Sequence, residues 1–172
     1  MSVEIRPIKK SDNEEVANVI RTVMPEFGAG GQGFAIHDAE VNDMFSAYSV
    51  PRAAYFVCAD GGIVIGGAGV GPLTGGDADT CELKKMYLRP EGRGRGFGQQ
   101  LLLRCLSEAR QLGYRYCYIE TFNTMMAAMK LYERNGFLRI PGPLGRTGHF
   151  SCDRFYLLDL FRMDVAKVTA SG

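Results

Sequence analysis

The chain has 172 residues, with 20 Lys and Arg against 19 Asp and Glu and a formal net charge of +1. That length fits a single compact domain with its own core. The balance of charge excludes a general field for gripping nucleic acid or an anionic membrane surface, so any anion site must be local.

In chain order, residues 3–8 read as a short strand. Ser11 with Glu14 three positions later forms a capping box that opens a helix to about Met24, where Pro25 stops it. Residues 26–33 (EFGAGGQG) are too rich in glycine for regular structure and read as a mobile loop, of the kind that covers a site, ahead of a second helix over 38–48. The runs 54–59 and 63–73 flank Asp60, Gly61 and Gly62, the residue types of a tight hairpin turn, which predicts antiparallel pairing. Another strand over 81–88 leads to a helix whose Leu101, Leu102, Cys105, Leu106, Ala109 and Leu112 share one face, with Gly113 as its C-terminal cap. Residues 116–120 (YCYIE) are a strand and 124–135 a helix closed by Gly136. Phe137 then opens a strand that breaks into a Gly and Pro loop before a last strand over 154–160. This order makes a mixed α/β sheet rather than a regular doubly wound one, in one domain with a core over 3–160 and a C-terminal tail over 161–172.

The N-terminal MSVEIRPIKKSD lacks the apolar stretch of a signal peptide, and no segment approaches the ~20 apolar residues of a membrane span. Cys58, Cys81, Cys105, Cys117 and Cys152 are scattered singly with no CxxC pair and read as buried reduced thiols. Both observations lead to a cytoplasmic expectation.

The run 88–100 (LRPEGRGRGFGQQ) delivers Gly92, Gly94, Gly96 and Gly98 from a strand directly onto the start of an amphipathic helix. Glycines there let several backbone N–H groups converge on one anion at the positive end of the helix, and a pyrophosphate is the natural occupant. Arg93 and Arg95 add bidentate donors. A P-loop is excluded because the turn has no Lys. A dinucleotide fingerprint is excluded because Gln99 and Leu101 stand where its third glycine belongs.

The run from Arg93 through Gly94, Arg95, Gly96 and Phe97 to Gly98 is similar to the R/Q-x-x-G-x-G/A motif of the GNAT superfamily of acyl-CoA-dependent N-acetyltransferases. Residues 130–137 (KLYERNGF) resemble that family's LYxxxGF signature, and the resemblance covers about residues 3–160. It implies a splayed, mostly antiparallel mixed sheet flanked by helices, with acetyl-CoA as co-substrate, no metal, and the pantetheine arm lying between strands 81–88 and 116–120. The implied cofactor-binding set is Met86, Tyr87, Leu88, Arg93, Gly94, Arg95, Gly96, Phe97, Gly98, Gln99 and Met125, the last where many members carry an Asn that touches CoA; Asn123 lies two positions earlier. The residues themselves support part of this. Leu83 is out of alternation phase with Met86 and Leu88, so a β-bulge between them is needed to bring all three to the core face. Such a bulge frees backbone groups near Met86 to Leu88 for the amides of pantetheine.

Glu82 matches the position of the general base in some members. A carboxylate at its unperturbed pKa of ~4.3 is a weak base unless burial raises it, and the competing reading is a solvated Glu paired with Lys84 or Lys85. Tyr132 matches the tyrosine that protonates the departing thiolate, with simple core packing as its alternative. For the acceptor, the loop 139–153 offers Arg146 and His149, and Glu26, Phe27 and Phe34 offer an opposite wall, while His37 has little to recommend it.

The function expected is transfer of acetyl from acetyl-CoA to a primary amine of a small molecule, an amino acid or related metabolite, by direct attack in a ternary complex. The alternatives are a protein N-terminal or lysine acetyltransferase, or an acyl-CoA-binding module without chemistry. Partners are thus a small-molecule or peptide amine, without nucleic acid or membrane, in a monomer or homodimer. Redox chemistry with NAD, drawing on Glu120 at a strand end, founders on the glycine spacing.

Overall fold

The computed structural model describes residues 2–163; residues 164–172, most of the expected tail, lie outside the described residues. Seven strands form one sheet in the order β1-β2-β3-β4-β5-β7-β6. They are β1 (Val3–Pro7), β2 (Ala54–Asp60), β3 (Ile63–Pro72), β4 (Thr80–Leu88), β5 (Tyr116–Thr121), β6 (Leu138–Ile140) and β7 (Arg154–Asp159). Every neighbouring pair is antiparallel except β4 and β5. The helices are α1 (Asn13–Glu26), α2 (Met44–Ala47), α3 (Phe97–Gln111) and α4 (Met126–Arg134). Among the described residues, no helix is long and apolar enough to cross a membrane. The mixed, mostly antiparallel sheet flanked by helices is the architecture expected.

Strand alternation divides the core between the two faces of the sheet. On β2, Phe56 and Cys58 join the cluster built on α3, while Tyr55 and Val57 join the one built on α1 and α2. The hairpin between β2 and β3 turns through Gly61 (φ +57) and Gly62 (φ +87), the left-handed pair that a two-residue turn of this twist requires.

Two irregularities of β4 position the site. Gly69 pairs with Lys84 and Gly67 with Tyr87, so Lys85 and Met86 together face Ala68 alone. This is the bulge that the phase slip predicts, and Lys85 takes φ +51 within it. Leu83, Met86 and Leu88 all reach the α3 cluster, and Tyr87 reaches the opposite one. The second irregularity is a parting of strands. β4 and β5 pair only at Thr80 with Tyr116, Cys81 with Cys117 and Glu82 with Tyr118, after which they diverge.

Several local expectations give way. α1 runs through Pro25 to Glu26, because a proline in the penultimate position forgoes only one helical hydrogen bond. Ser11 and Glu14 do not cap it. Asp12 instead accepts the Lys9 N–H (2.7 Å) and holds Arg6 (2.7 and 3.0 Å) around a short 3-10 turn. The helix expected over 38–48 is broken into 3-10 turns and the single-turn α2. Asp43 accepts the Ser46 N–H (3.1 Å) and an amide N–H of Asn13 (2.7 Å), a local bond that competes with helix propagation. The glycine-rich loop is fastened at several points. Gln32 O and Gly33 O accept from Ser151, Phe27 O from Thr124, and Gly30 O lies 3.0 Å from His37 Nε2.

Candidate active site

Past Leu88, the chain turns through Pro90 to Gly92 and enters α3 by way of Gly94 (φ +71) and Gly96 (φ +81). After the Arg93 N–H, which donates to Pro90 O at 3.1 Å, the next to find a main-chain acceptor is that of Gln100, which donates to Gly96 O at 3.2 Å. Among the described residues, the N–H groups of Gly94, Arg95, Gly96, Phe97, Gly98 and Gln99 have none. A Cβ built on Gly94 or Gly96 meets nothing within 4 Å, so the space before these donors is open. Successive free amides at the positive end of a long helix, facing an open groove, fit a diphosphate. The two arginines are partly engaged elsewhere. Arg93 donates to Leu88 O (3.0 Å) and Glu26 (2.9 Å) and lies over the Phe27 ring, still lining the groove; Arg95 reaches Asp60 (3.3 Å) and covers Phe97. Phe97 buries its ring in the core, which leaves its amide as the group facing outward. Opposite the turn, Met86, Tyr87 and Leu88 of β4 and Met125, Ala128 and Leu131 around α4 complete the groove.

The groove continues into the gap between β4 and β5. Met86, Tyr87 and Met125 line both, and the gap is walled by Glu82, Ile119, Phe122, Tyr132, Phe34, His149 and Cys152. Phe34 meets Phe122 edge-on, with centroids 5.0 Å apart. Glu82 and His149 also line a third depression on the far side, with Asp38, Glu40, Thr74, Lys84 and Thr147. A passage therefore runs through the sheet at the point where its strands part.

Glu82 stands in that passage, 4% exposed and, among the described residues, with no side-chain hydrogen bond. Burial lifts its carboxyl to about 7; the charge of Lys84 opposes the rise and that of Glu120 adds to it. The solvated ion pair weighed for Glu82 is not what forms. Lys85 is committed to Asp38 (2.6 Å) and Glu40 (2.7 Å), and Lys84 has no ion-pair partner among the described residues.

Asp38 also faces His149 Nε2 (2.8 Å), and His149 Nδ1 lies 3.3 Å from Glu120 Oε2. Glu120 accepts from Thr147 (2.6 Å) and Tyr118 (2.8 Å) besides. Burial disfavours the imidazolium, but the hydrogen bonds to Asp38 and Glu120 outweigh it and lift His149 to about 9. Burial likewise pushes Glu120 and Asp38 upward, and their donors more than reverse this, holding both below the usual carboxylate range. For Lys85, desolvation is overcome by Glu40 and Asp38, and its pKa rises.

Tyr132 is buried against Phe137 and Tyr156. Its hydroxyl has no hydrogen-bond partner among the described residues, and burial pushes the phenol above its ordinary value. Arg146 does not line the passage, although Thr74 and Thr147 beside it do. It is exposed, packs against Gly75, and donates its main-chain N–H to Thr74 O. His37 and Asn123 are exposed as well. The residues that sequence reasoning did not place here are Asp38, Glu40, Lys85, Thr147 and, in this role, Glu120. A signal existed for Glu120, because Tyr118 stands opposite Glu82 and alternation sends Glu120 to the same face.

A sheet split at its parallel pair, with free amides on one side of the split and a buried unpaired carboxylate within it, has the form of a group-transfer enzyme. Residues 18–137 match the acetyltransferase (GNAT) family, and the chain belongs to that family of acyl-CoA-dependent N-acetyltransferases. It is 40% identical over 157 residues to the uncharacterized N-acetyltransferase YjgM of Escherichia coli K12, covering 91% of this chain and 94% of that one. Over 115 residues it is 30% identical to the IAA acetyltransferase of Azospirillum brasilense, covering 66% and 73%. Its fold is shared with a GNAT acetyltransferase from Staphylococcus aureus Mu50 (TM-score 0.79, 21% identity, 92% and 99% covered). It is shared too with yncA of Salmonella typhimurium, solved with its cofactor acetyl-CoA (TM-score 0.72, 22% identity, 93% and 95% covered).

Proposed function

We propose that the protein moves an acetyl group from acetyl-CoA to the primary amine of a small molecule, an amino acid or related metabolite, by direct attack with both substrates bound. The observation that carries this reading is Glu82, a buried and unpartnered carboxyl with a pKa near 7 in the gap between β4 and β5. At that value it is a far better base near neutral pH than an ordinary carboxylate.

When bound, the thioester supplies an activated acetyl carbon. The open amides from Gly94 to Gln99 hold the diphosphate. The edge of β4 at Met86 to Leu88, unpaired with β5, offers main-chain partners to the pantetheine amides. Glu82 takes the proton that the ammonium must lose before its nitrogen attacks. The hydroxyl of Tyr132 gives a proton to the sulfur as the carbon–sulfur bond breaks. Two features favour a small acceptor over a protein lysine. Ser151 ties the loop after β6 to the glycine-rich loop beside Phe34 and Cys152 of the gap, and Lys84 supplies a cation on the far side to meet an acceptor carboxylate.

The test is CoA release from acetyl-CoA across a panel of small amines, amino acids and peptides. Wild type should form the N-acetyl product of one or more small amines, and Glu82→Gln should be slower by at least about 10². Equal, slow release by both proteins with every amine would overturn the reading.

A further inference from the structure

Glu82 sits between groups of opposite charge that the proton transfer itself does not use. From β5, Glu120 presents a carboxylate whose oxygens accept from the hydroxyls of Tyr118 (2.8 Å) and Thr147 (2.6 Å). From the loop after β6, His149 is held at both ring nitrogens between carboxylates, Asp38 at 2.8 Å and Glu120 at 3.3 Å. With Asp38 hydrogen-bonded at Nε2 and the Glu120 carboxylate 3.3 Å from Nδ1, the two carboxylates favour the charged form of the ring. Asp38 is fixed in turn by Lys85 at 2.6 Å. One polar atom each of Glu82, Glu120 and His149 lies within 4.8 Å of the other two. The remaining charges facing Glu82 come from β4, where Lys84 lines the passage and Lys85 is bound to Asp38 and Glu40. The phenols of Tyr87 and Tyr132, on β4 and α4, are neutral there.

We propose that Glu120 and His149 are positioning residues of opposed charge that set the pH at which Glu82 exchanges its proton, Glu120 holding the proton on and His149 driving it off. Lys85 and Asp38 keep the imidazolium in place. Both charges stand within a few ångströms of Glu82 in a site shielded from water, where a unit charge moves a neighbour's proton equilibrium by about one unit or more. Their effects oppose each other, so the balance is adjustable from either side. The inference rests on Glu82 being the base.

The test needs no acceptor. In ligand-free protein labelled with 13C at the glutamate carboxyls, the Glu82 resonance is assigned by its loss in Glu82→Gln and titrated with pH. Wild type should titrate near 7. Glu120→Gln should lower that midpoint by about one unit, and His149→Gln should raise it by a similar amount. Glu120→Asp, which keeps the charge, should return it towards wild type. A merely structural role would not move the two variants in opposite senses. A wild-type midpoint at the ordinary ~4.3 would overturn both the base and this inference. A wild-type midpoint near 7 with either neutralising variant unmoved, or with both moved the same way, would overturn the inference alone. Either variant decides the matter by itself should the other fold poorly.

Discussion

Gln99 and Asn135 exchange two side-chain hydrogen bonds, Nε2 to Oδ1 at 2.8 Å and Nδ2 to Oε1 at 2.7 Å, and so clamp the first turn of α3 to the end of α4. One residue closes the run of open amides and the other lies three positions after Tyr132, so the clamp fixes those amides relative to that hydroxyl. Asn135 also donates to Leu131 O (2.8 Å). Each bond contributes about 1 kcal/mol net. Asn135→Ala, which loses all three bonds, should therefore lower the melting temperature by roughly 6–12 °C, Gln99→Ala by less, and the double variant by less than the sum. Thermal unfolding followed by circular dichroism reads all three.

The glycine turn makes a prediction in which stability and binding separate. Gly96 (φ +81) and Gly113 (φ +88) both adopt the left-handed conformation, and a Cβ on either meets nothing within 4 Å. Alanine at each should cost a similar ~1 kcal/mol in strain. Only at Gly96 does the new methyl enter the groove before the free amides. Calorimetry with acetyl-CoA should give a Kd raised at least about tenfold for Gly96→Ala and unchanged for Gly113→Ala.

Stability should depend on pH through two groups that act in the same direction. The carboxyl of Glu82 is raised by burial from 4.5 to about 7, so its protonated form favours the fold below 4.5 and the advantage is lost as pH rises through 7. His149 is lifted from 6.5 to about 9, burial notwithstanding, by Asp38 and Glu120. Its contribution is complete below 6.5 and is lost as pH rises through 9. Wild type should thus weaken between roughly pH 4.5 and 9 in urea unfolding, first through Glu82 and then through His149. Glu82→Gln should gain stability relative to wild type at about pH 8 and little at about pH 4.5.

Tyr132→Phe removes a hydroxyl without a partner among the described residues and leaves the ring between Phe137 and Tyr156. The melting temperature should hold within about 1 °C. If the hydroxyl protonates the leaving sulfur, kcat should fall by about 10–10² with the Kd for acetyl-CoA unchanged.

Lys85→Met would leave Asp38 with His149 and Glu40 with the Tyr48 hydroxyl, and would remove an ammonium whose side chain is 1% exposed. A loss of about 3–5 kcal/mol is expected, measured by urea unfolding.

What could be read from the sequence follows a physical divide. The bulge was legible because Leu83, Met86 and Leu88 cannot share a face without an extra residue, and the left-handed turn with its open amides because Gly94 and Gly96 serve no helix well. These are constraints between near neighbours. Asp38 was read as part of a helix, and nothing local announces that its partners are Lys85 and His149, 47 and 111 positions away. The capping box at Ser11 failed for the same reason in miniature, since the guanidinium of Arg6 on the neighbouring strand decides which carboxylate closes the turn. Arg146 is joined through its main chain to Thr74 at the rim of the far depression, which its own side chain does not line.

The brevity of the contact between β4 and β5 reaches beyond chemistry. Where three residue pairs are all that join two halves of a sheet, whatever fills the wedge between them becomes mortar as well as cargo. Tight occupancy then adds RT ln(1 + [L]/Kd) to the folding free energy.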